Sequence, residues 1–149
     1  MKSKSILALA SLLLLAISCK KINRPETFVL GQEAFGGIVI QTDDEGIHGI
    51  VAAKTDQVIS TAGNNYQESL PIVSAYSQGG TGWRIPTKDE LEVLYSMKSE
   101  LGGLRNWYYW SSTKNGSFPW AKQCGTNPNY PSNYKCPNNS FNIRAVKDF

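Results

Sequence analysis

The apolar positions change period several times along the chain, and each change marks an element. FGGIVIQT (35–42) and IHGIVAA (47–53) are β-branched and roughly alternating on either side of the polar turn DDEG (43–46), which predicts a hairpin. NNYQESLPIVSAYSQ (64–78) spaces Tyr66, Leu70, Val73 and Ser77 as a helix does, with Pro71 tolerated best in a first turn. QGGTG (78–82) then breaks the chain. In GWRIPTKDELEVLY (82–95), Thr87 and Glu90 form a capping box, each side chain satisfying a backbone N–H at the helix start. Leu91, Leu94, Tyr95 and Lys98 follow at i, i+3, i+4 and i+7, so one stripe is expected to be buried while Asp89, Glu90 and Glu92 face water. Gly102 and Gly103 end this helix.

From Trp107 onward the pattern returns to strands. WYYWSST (107–113), the turn KNGS (114–117) and FPWAKQC (118–124) predict a second hairpin. TNPNYPSNYKCPNNS (126–140) has no periodicity and reads as a long surface loop, and FNIRAVKDF (141–149) as a last strand. The sum is an α+β domain with strands at both ends and two helices between them, and 149 residues suffice for one such domain but not two.

The first nineteen residues stand apart. Lys2 and Lys4 precede an apolar run from Ile6 to Leu15, too short to span a bilayer, and LAIS leads into Cys19. LAISC resembles the lipobox of bacterial lipoproteins, in which the cysteine becomes the acylated N-terminus, although Ala16 stands where that pattern most often has Leu. The expected organisation is therefore a lipoprotein signal over 1–19, a tether over 20–30 and a domain over 31–149. The expected partner is a membrane, through the acyl anchor at Cys19. The expected place is the bacterial envelope, at the outer membrane, with the periplasmic and surface faces both open; KKINRPE after Cys19 lacks an acidic export run and leans toward the periplasm.

Charge removes one class of partner. The chain carries 15 Lys and Arg against 12 Asp and Glu, and without Lys2 and Lys4 the balance is 13 to 12. No basic stripe of the kind a nucleic-acid binder carries is present. Cys124 and Cys136, twelve positions apart in a chain bound for an oxidising compartment, are expected to form a disulfide. No CxxC or His-rich spacing exists, His48 is the only histidine, and the acidic turn 43–46 reads as turn chemistry, so neither metal nor cofactor is expected.

GGIVI, DDEGIHGIVAA, GWRIPTKDELEVLY, YYWSST, Trp120-Ala121 and NIRAVKDF occur in an order and rough spacing that resembles the Lcl C-terminal-domain family and the Fibrobacter succinogenes major paralogous domain, over about residues 31–149. The resemblance implies a C-type-lectin-like fold, with a mixed or antiparallel sheet, long loops and terminal strands side by side. It also implies a scaffold role for GWRIPTKDELEVLY, placing Trp83, Ile85, Leu91, Leu94 and Tyr95 in the core; Trp110, Ile143 and Val146 read the same way. GWRIPT-x-x-E-L is similar to a segment of formylglycine-generating enzymes as well. Their reactive cysteine motif is missing, as are the EPN-, QPD- and WND-like motifs of calcium-dependent lectins.

The expected function is that of a binding module for a glycan or glycosaminoglycan-like polymer, without calcium and without catalysis. Trp107, Tyr109, Trp120, Tyr130 and Tyr134 cluster in the second half beside Asn133 and further asparagines. Aromatic faces stack on sugar rings and amides pair with hydroxyls. The alternatives are that several of these aromatics are core and the asparagines fill turns, or that the domain is an accessory part of an envelope assembly, binding protein. No nucleophile with a paired base, carboxylate pair or phosphate loop is visible.

Overall fold

A computed structural model describes residues 24–57, 63–125 and 131–149. Cys19, the leader and the first part of the tether lie outside the described residues. The chain is packed from Phe28 onward, whose N–H donates to the Gly46 carbonyl at 2.7 Å and whose ring lies 4.8 Å from Phe35 and 5.3 Å from Phe149.

The elements run β1 (Glu33–Ala34), β2 (Gly37–Thr42), β3 (Gly49–Ala53), α1 (Tyr66–Ala75), α2 (Lys88–Ser96), α3 (Lys98–Leu101), β4 (Tyr108–Asn115), β5 (Phe118–Gln123), β6 (Asn133–Tyr134) and β7 (Val146–Asp148). The fold is α+β, with two antiparallel sheets ordered β1-β2-β3-β7 and β4-β5-β6. Val39, Val51 and Ala53 face one core with Trp83, Trp110 and Ile143. Ile38, Ile40 and Ala52 face a second with Leu91, Leu94 and Tyr109. Burial on both faces explains why GGIVI is a nearly continuous apolar run.

Several expectations need correction. A third, four-residue helix, α3, follows α2. FNIRAVKDF is not one strand: Phe141 bridges Asn64 and Asn142 bridges Tyr109, and only 146–148 joins the first sheet. The segment thus crosses from one sheet to the other. The terminal strands are not neighbours, because β7 pairs with β3 while β1 holds the opposite edge beside β2. α1 buries Tyr66, Ser69 and Val73 and leaves Leu70 exposed; it carries Pro71 in its sixth position, started by an Asn65–Glu68 capping box.

The Cys124–Cys136 disulfide is not formed. Cys124 directly follows β5 and is buried in the second core, while Cys136 is exposed past β6. Hydrogen bonds hold the loop instead: Lys135 N–H to the Pro119 carbonyl at 2.8 Å, Tyr66 N–H to the Pro137 carbonyl at 2.9 Å, and Gln123 N–H to the Ser132 hydroxyl at 2.9 Å.

GWRIPTKDELEVLY is a scaffold piece in detail. Trp83 is buried and donates Nε1–H to the Gln78 carbonyl at 2.9 Å. Arg84 exchanges backbone hydrogen bonds with Val146, which adds a rung beside β7. Thr87 and Glu90 make the expected capping box. Ile85, Leu91, Leu94 and Trp110 are buried as expected. Two expectations fail: Tyr95 is exposed, and Glu90 is buried. Tyr95 sits at the rim of the stripe under the Lys122 ammonium at 4.6 Å. Glu90 is drawn in by Arg84, whose Nη1 and Nη2 each donate to it at 2.7 Å.

Candidate functional site

The small sheet presents two chemically different faces because successive strand residues alternate. Trp110 pairs with Ala121 on the side of the first core. Tyr109 pairs with Lys122 and Trp120 with Tyr134 on the side of α2. On the α2 side, α2 covers Trp120 and Lys122 but not Phe118 or Tyr134, which are 52% and 39% exposed. Lys88, in the first turn of α2, lays its ammonium 5.3 Å from the Trp120 ring centre.

On the other side, Lys114 is the cross-strand partner of Pro119, and Lys135 donates its N–H to the Pro119 carbonyl. The two lysines therefore share one row, two strand spacings or about 10 Å apart. Lys114 lies 4.6 Å over Tyr66 and Lys135 4.9 Å over Tyr108. Between them runs an unbroken chain of rings: Tyr66 to Trp110 at 5.5 Å, Trp110 to Phe141 at 4.6 Å and Phe141 to Tyr108 at 4.8 Å.

Lys88, Lys114 and Lys135 have no carboxylate partner among the described residues. A lysine held over a ring keeps its position while its N–H donors stay available. Lys122, by contrast, is paired with Glu92 at 2.6 Å. The Asp89 carboxylate, next in sequence to Lys88, is the acidic group in α2's first turn that no ion pair engages.

A cleft of about 490 Å³ adjoins this end of the molecule at Tyr66. Leu70, Pro71 and Val73 of α1 form one wall, Trp83 and Ile85 another, with Arg84, Ser74 and Ser112 as polar points. It is an apolar groove with few donors.

The structure separates the expected ligand-binding residues. Tyr134 and Asn133 are exposed on β6, and Trp107 is exposed before β4. Trp120 is mostly buried, offering its ring to Lys88 rather than to solvent. Tyr130 lies outside the described residues. Tyr109 is fully buried and drops out as a ligand contact: its hydroxyl donates to Asp56 at 2.7 Å and accepts the Arg105 N–H at 2.7 Å. Burial, then the Asp56 charge, raises its pKa far beyond the usual phenol value, so it stays protonated. Phe118, Lys88, Lys114 and Lys135 were not singled out by the sequence, since their partners lie across strands.

Two other polar clusters resemble chemistry but are structural. Arg144, fully buried, donates Nε–H to Asp56 at 2.7 Å and Nη1–H to the carbonyls of Ala53 and Lys54 at 3.1 and 3.0 Å. Lys147 donates to the carbonyls of Phe35 and Gly79 at 3.0 and 2.7 Å and lies 4.8 Å from the Trp83 ring centre; burial lowers its pKa. Each pins loops to the C-terminal segment. No known protein family and no curated protein matches the chain.

Proposed function

We propose that this chain is a lipid-anchored binding module of the bacterial envelope that recognises an acidic glycan, without calcium and without catalysis, at the hairpin end of its small sheet. The reading includes acylation at Cys19, an outer-membrane location and a C-type-lectin-like arrangement of the kind found in the Lcl C-terminal-domain family. The observation that carries it is the set of three lysines, Lys88, Lys114 and Lys135, each over an aromatic ring and none paired with a carboxylate among the described residues; Lys88 lies on the α2 side of the small sheet with the exposed Phe118 and Tyr134, and Lys114 and Lys135 lie on its other face. Lys114 and Lys135, whose strands lie about 10 Å apart, suit repeated carboxylates or sulfates on a linear polymer, while exposed rings suit the apolar faces of sugars.

The test is binding of the Cys19→Ala chain to heparin, polygalacturonate and neutral dextran, with and without EDTA. Acidic polymers should bind in EDTA, lose affinity with added salt, and bind progressively more weakly in Lys114→Gln and Lys114→Gln/Lys135→Gln. Equal binding to dextran, or binding indifferent to both lysines, would refute the site. The apolar cleft beside Leu70 favours a second reading, a protein partner in an envelope assembly. In that case Leu70→Asp, and not the lysine variants, would abolish capture of the partner.

A further inference from the structure

We propose that the turn Val29–Gln32, with Phe35 beside it, seats the domain on the bilayer that holds its acyl anchor; the proposal rests on the lipoprotein reading. Val29 and Leu30 are the most exposed large apolar residues among those described, at 66% and 59%. Their exposure is built in. The Gln32 N–H closes the turn onto the Val29 carbonyl at 3.1 Å, the Gln32 side chain accepts the Val29 N–H at 3.1 Å, and Gly31 N–H and Val39 N–H tie the turn to β2 at 2.8 Å each. The two side chains are thus held outward by a fixed backbone.

Phe35 is held in the same way. It adopts φ 51, a region that a bulky residue rarely occupies. Its ring stacks on Phe149 at 4.7 Å and meets Phe28 at 4.8 Å, while remaining 39% exposed. The patch therefore has an aromatic base and an aliphatic tip.

The length of chain before the patch selects its occupant. Phe28 is nine residues from Cys19. Fully extended, nine residues reach at most about 32 Å. An acylated Cys19 would keep the turn within that distance of the lipid surface, where even a weak apolar contact is favoured by its high effective concentration. The charges around the patch are mixed. Lys20, Lys21 and Arg24 precede it in sequence, whereas Asp43, Asp44 and Glu45 line the cleft that Phe28, Val29 and Leu30 share with the β2–β3 turn, and Glu33 beside Phe35 is paired with Lys54. Contact through this face is apolar and does not need anionic lipid.

The test uses the full acylated chain in vesicles of brominated-acyl phosphatidylcholine, alone or mixed with phosphatidylglycerol. The added tryptophan of Leu30→Trp is compared with that of Leu70→Trp, an exposed position on α1; both substitutions sit on the surface and spare the cores. The emission gained in Leu30→Trp should be quenched several-fold more than that gained in Leu70→Trp, in both lipid mixtures. Equal quenching at the two positions, no quenching at residue 30, or quenching only with phosphatidylglycerol would overturn the seating. Mass measurement of the N-terminal peptide separates the two readings: an unacylated Cys19 removes the anchor and the seating together, whereas an acylated chain with no quenching at residue 30 removes the seating alone.

Discussion

Replacing Glu90 with Ala should destabilise the domain by about 2–3 kcal/mol, a figure built from its three contacts. One carboxylate oxygen accepts Arg84 Nη2–H at 2.7 Å; the other accepts Arg84 Nη1–H and the Thr87 N–H, both at 2.7 Å. Breaking one side of a fully buried pair costs about 3–5 kcal/mol, and an exposed pair contributes about 0–1 kcal/mol. Here Glu90 is 11% exposed and Arg84 35%, and Arg84 keeps Asp148 at 2.8 Å as a second acceptor. The pair should therefore contribute about 2 kcal/mol, with up to about 1 kcal/mol more from the lost half of the capping box. Thr87→Ala removes only the other half and should cost about 1 kcal/mol. Glu90→Gln retains the capping geometry without the charge and should fall between the two. Urea unfolding at neutral pH, followed by tryptophan emission, measures all three. A Thr87→Ala cost equal to that of Glu90→Ala would refute the assignment, because the cap alone would then account for the helix. The pH dependence gives an independent check. Burial pushes the Glu90 carboxyl up, but the Arg84 guanidinium and the Thr87 N–H outweigh it and hold the folded pKa below the ordinary 4.5. A depressed folded pKa gives stability that is present above the unfolded pKa and is lost as pH falls through the folded one. The gap between wild type and Glu90→Gln should thus be constant from neutrality down to the mid-fives and close below about pH 4.

The two described cysteines should behave oppositely. Cys136 is exposed and should react with a disulfide reagent in the native protein, whereas burial pushes the Cys124 thiol up to about 12, so it should react only on unfolding; two native thiols reacting at one rate would contradict this. Gly79→Ala should cost more than about 2 kcal/mol, since its φ is +65 and a Cβ would stand 2.1 Å from the Phe35 carbonyl oxygen. Gly31→Ala, at φ +81 but facing open space, should cost about 1–2 kcal/mol, and thermal melts of the two variants would show whether the close approach matters beyond φ.

What was legible in the sequence was local. The Thr87–Glu90 box spans three residues and fixes the start of α2 wherever the helix packs. The same N-x-x-E signal at Asn65 and Glu68 was equally available and explains how α1 starts in spite of Pro71. Glu90 was misplaced as solvated because its burial depends on Arg84, outside the helix, which is itself oriented by Asp148, 64 residues further on. Tyr109 was offered as a ligand contact because a strand buried on both faces gives no alternation by which to separate core rings from surface rings. The disulfide failed for a related reason: spacing does not fix which way a Cβ points. Phe118 and the lysine row were invisible because strand pairing alone brings Lys114 and Lys135 to one position beside Pro119.

The distribution of committed polar groups separates scaffold from surface. Arg84 is spent on Glu90 and Asp148, Arg144 on Asp56 and the carbonyls of residues 53 and 54, and Lys147 on the carbonyls of Phe35 and Gly79. All three belong to the segments GWRIP and NIRAVKD, and their partners lie up to 112 residues away in sequence. These two segments therefore act as one clasp, drawing the β1–β2 turn, the loop after β3 and the start of α2 onto the C-terminal strand. A side chain most of whose donors are occupied inside the fold has few left for a ligand, so substitutions in the clasp should change stability before they change binding. Lys88, Lys114 and Lys135 are in the opposite condition. Their donors are held in place by rings and are not spent on carboxylates, so neutralising them should leave the fold nearly as stable while removing the charge that a ligand would meet. The contrast between the two sets of cations, in stability against binding, is where the proposed site is most exposed to disproof.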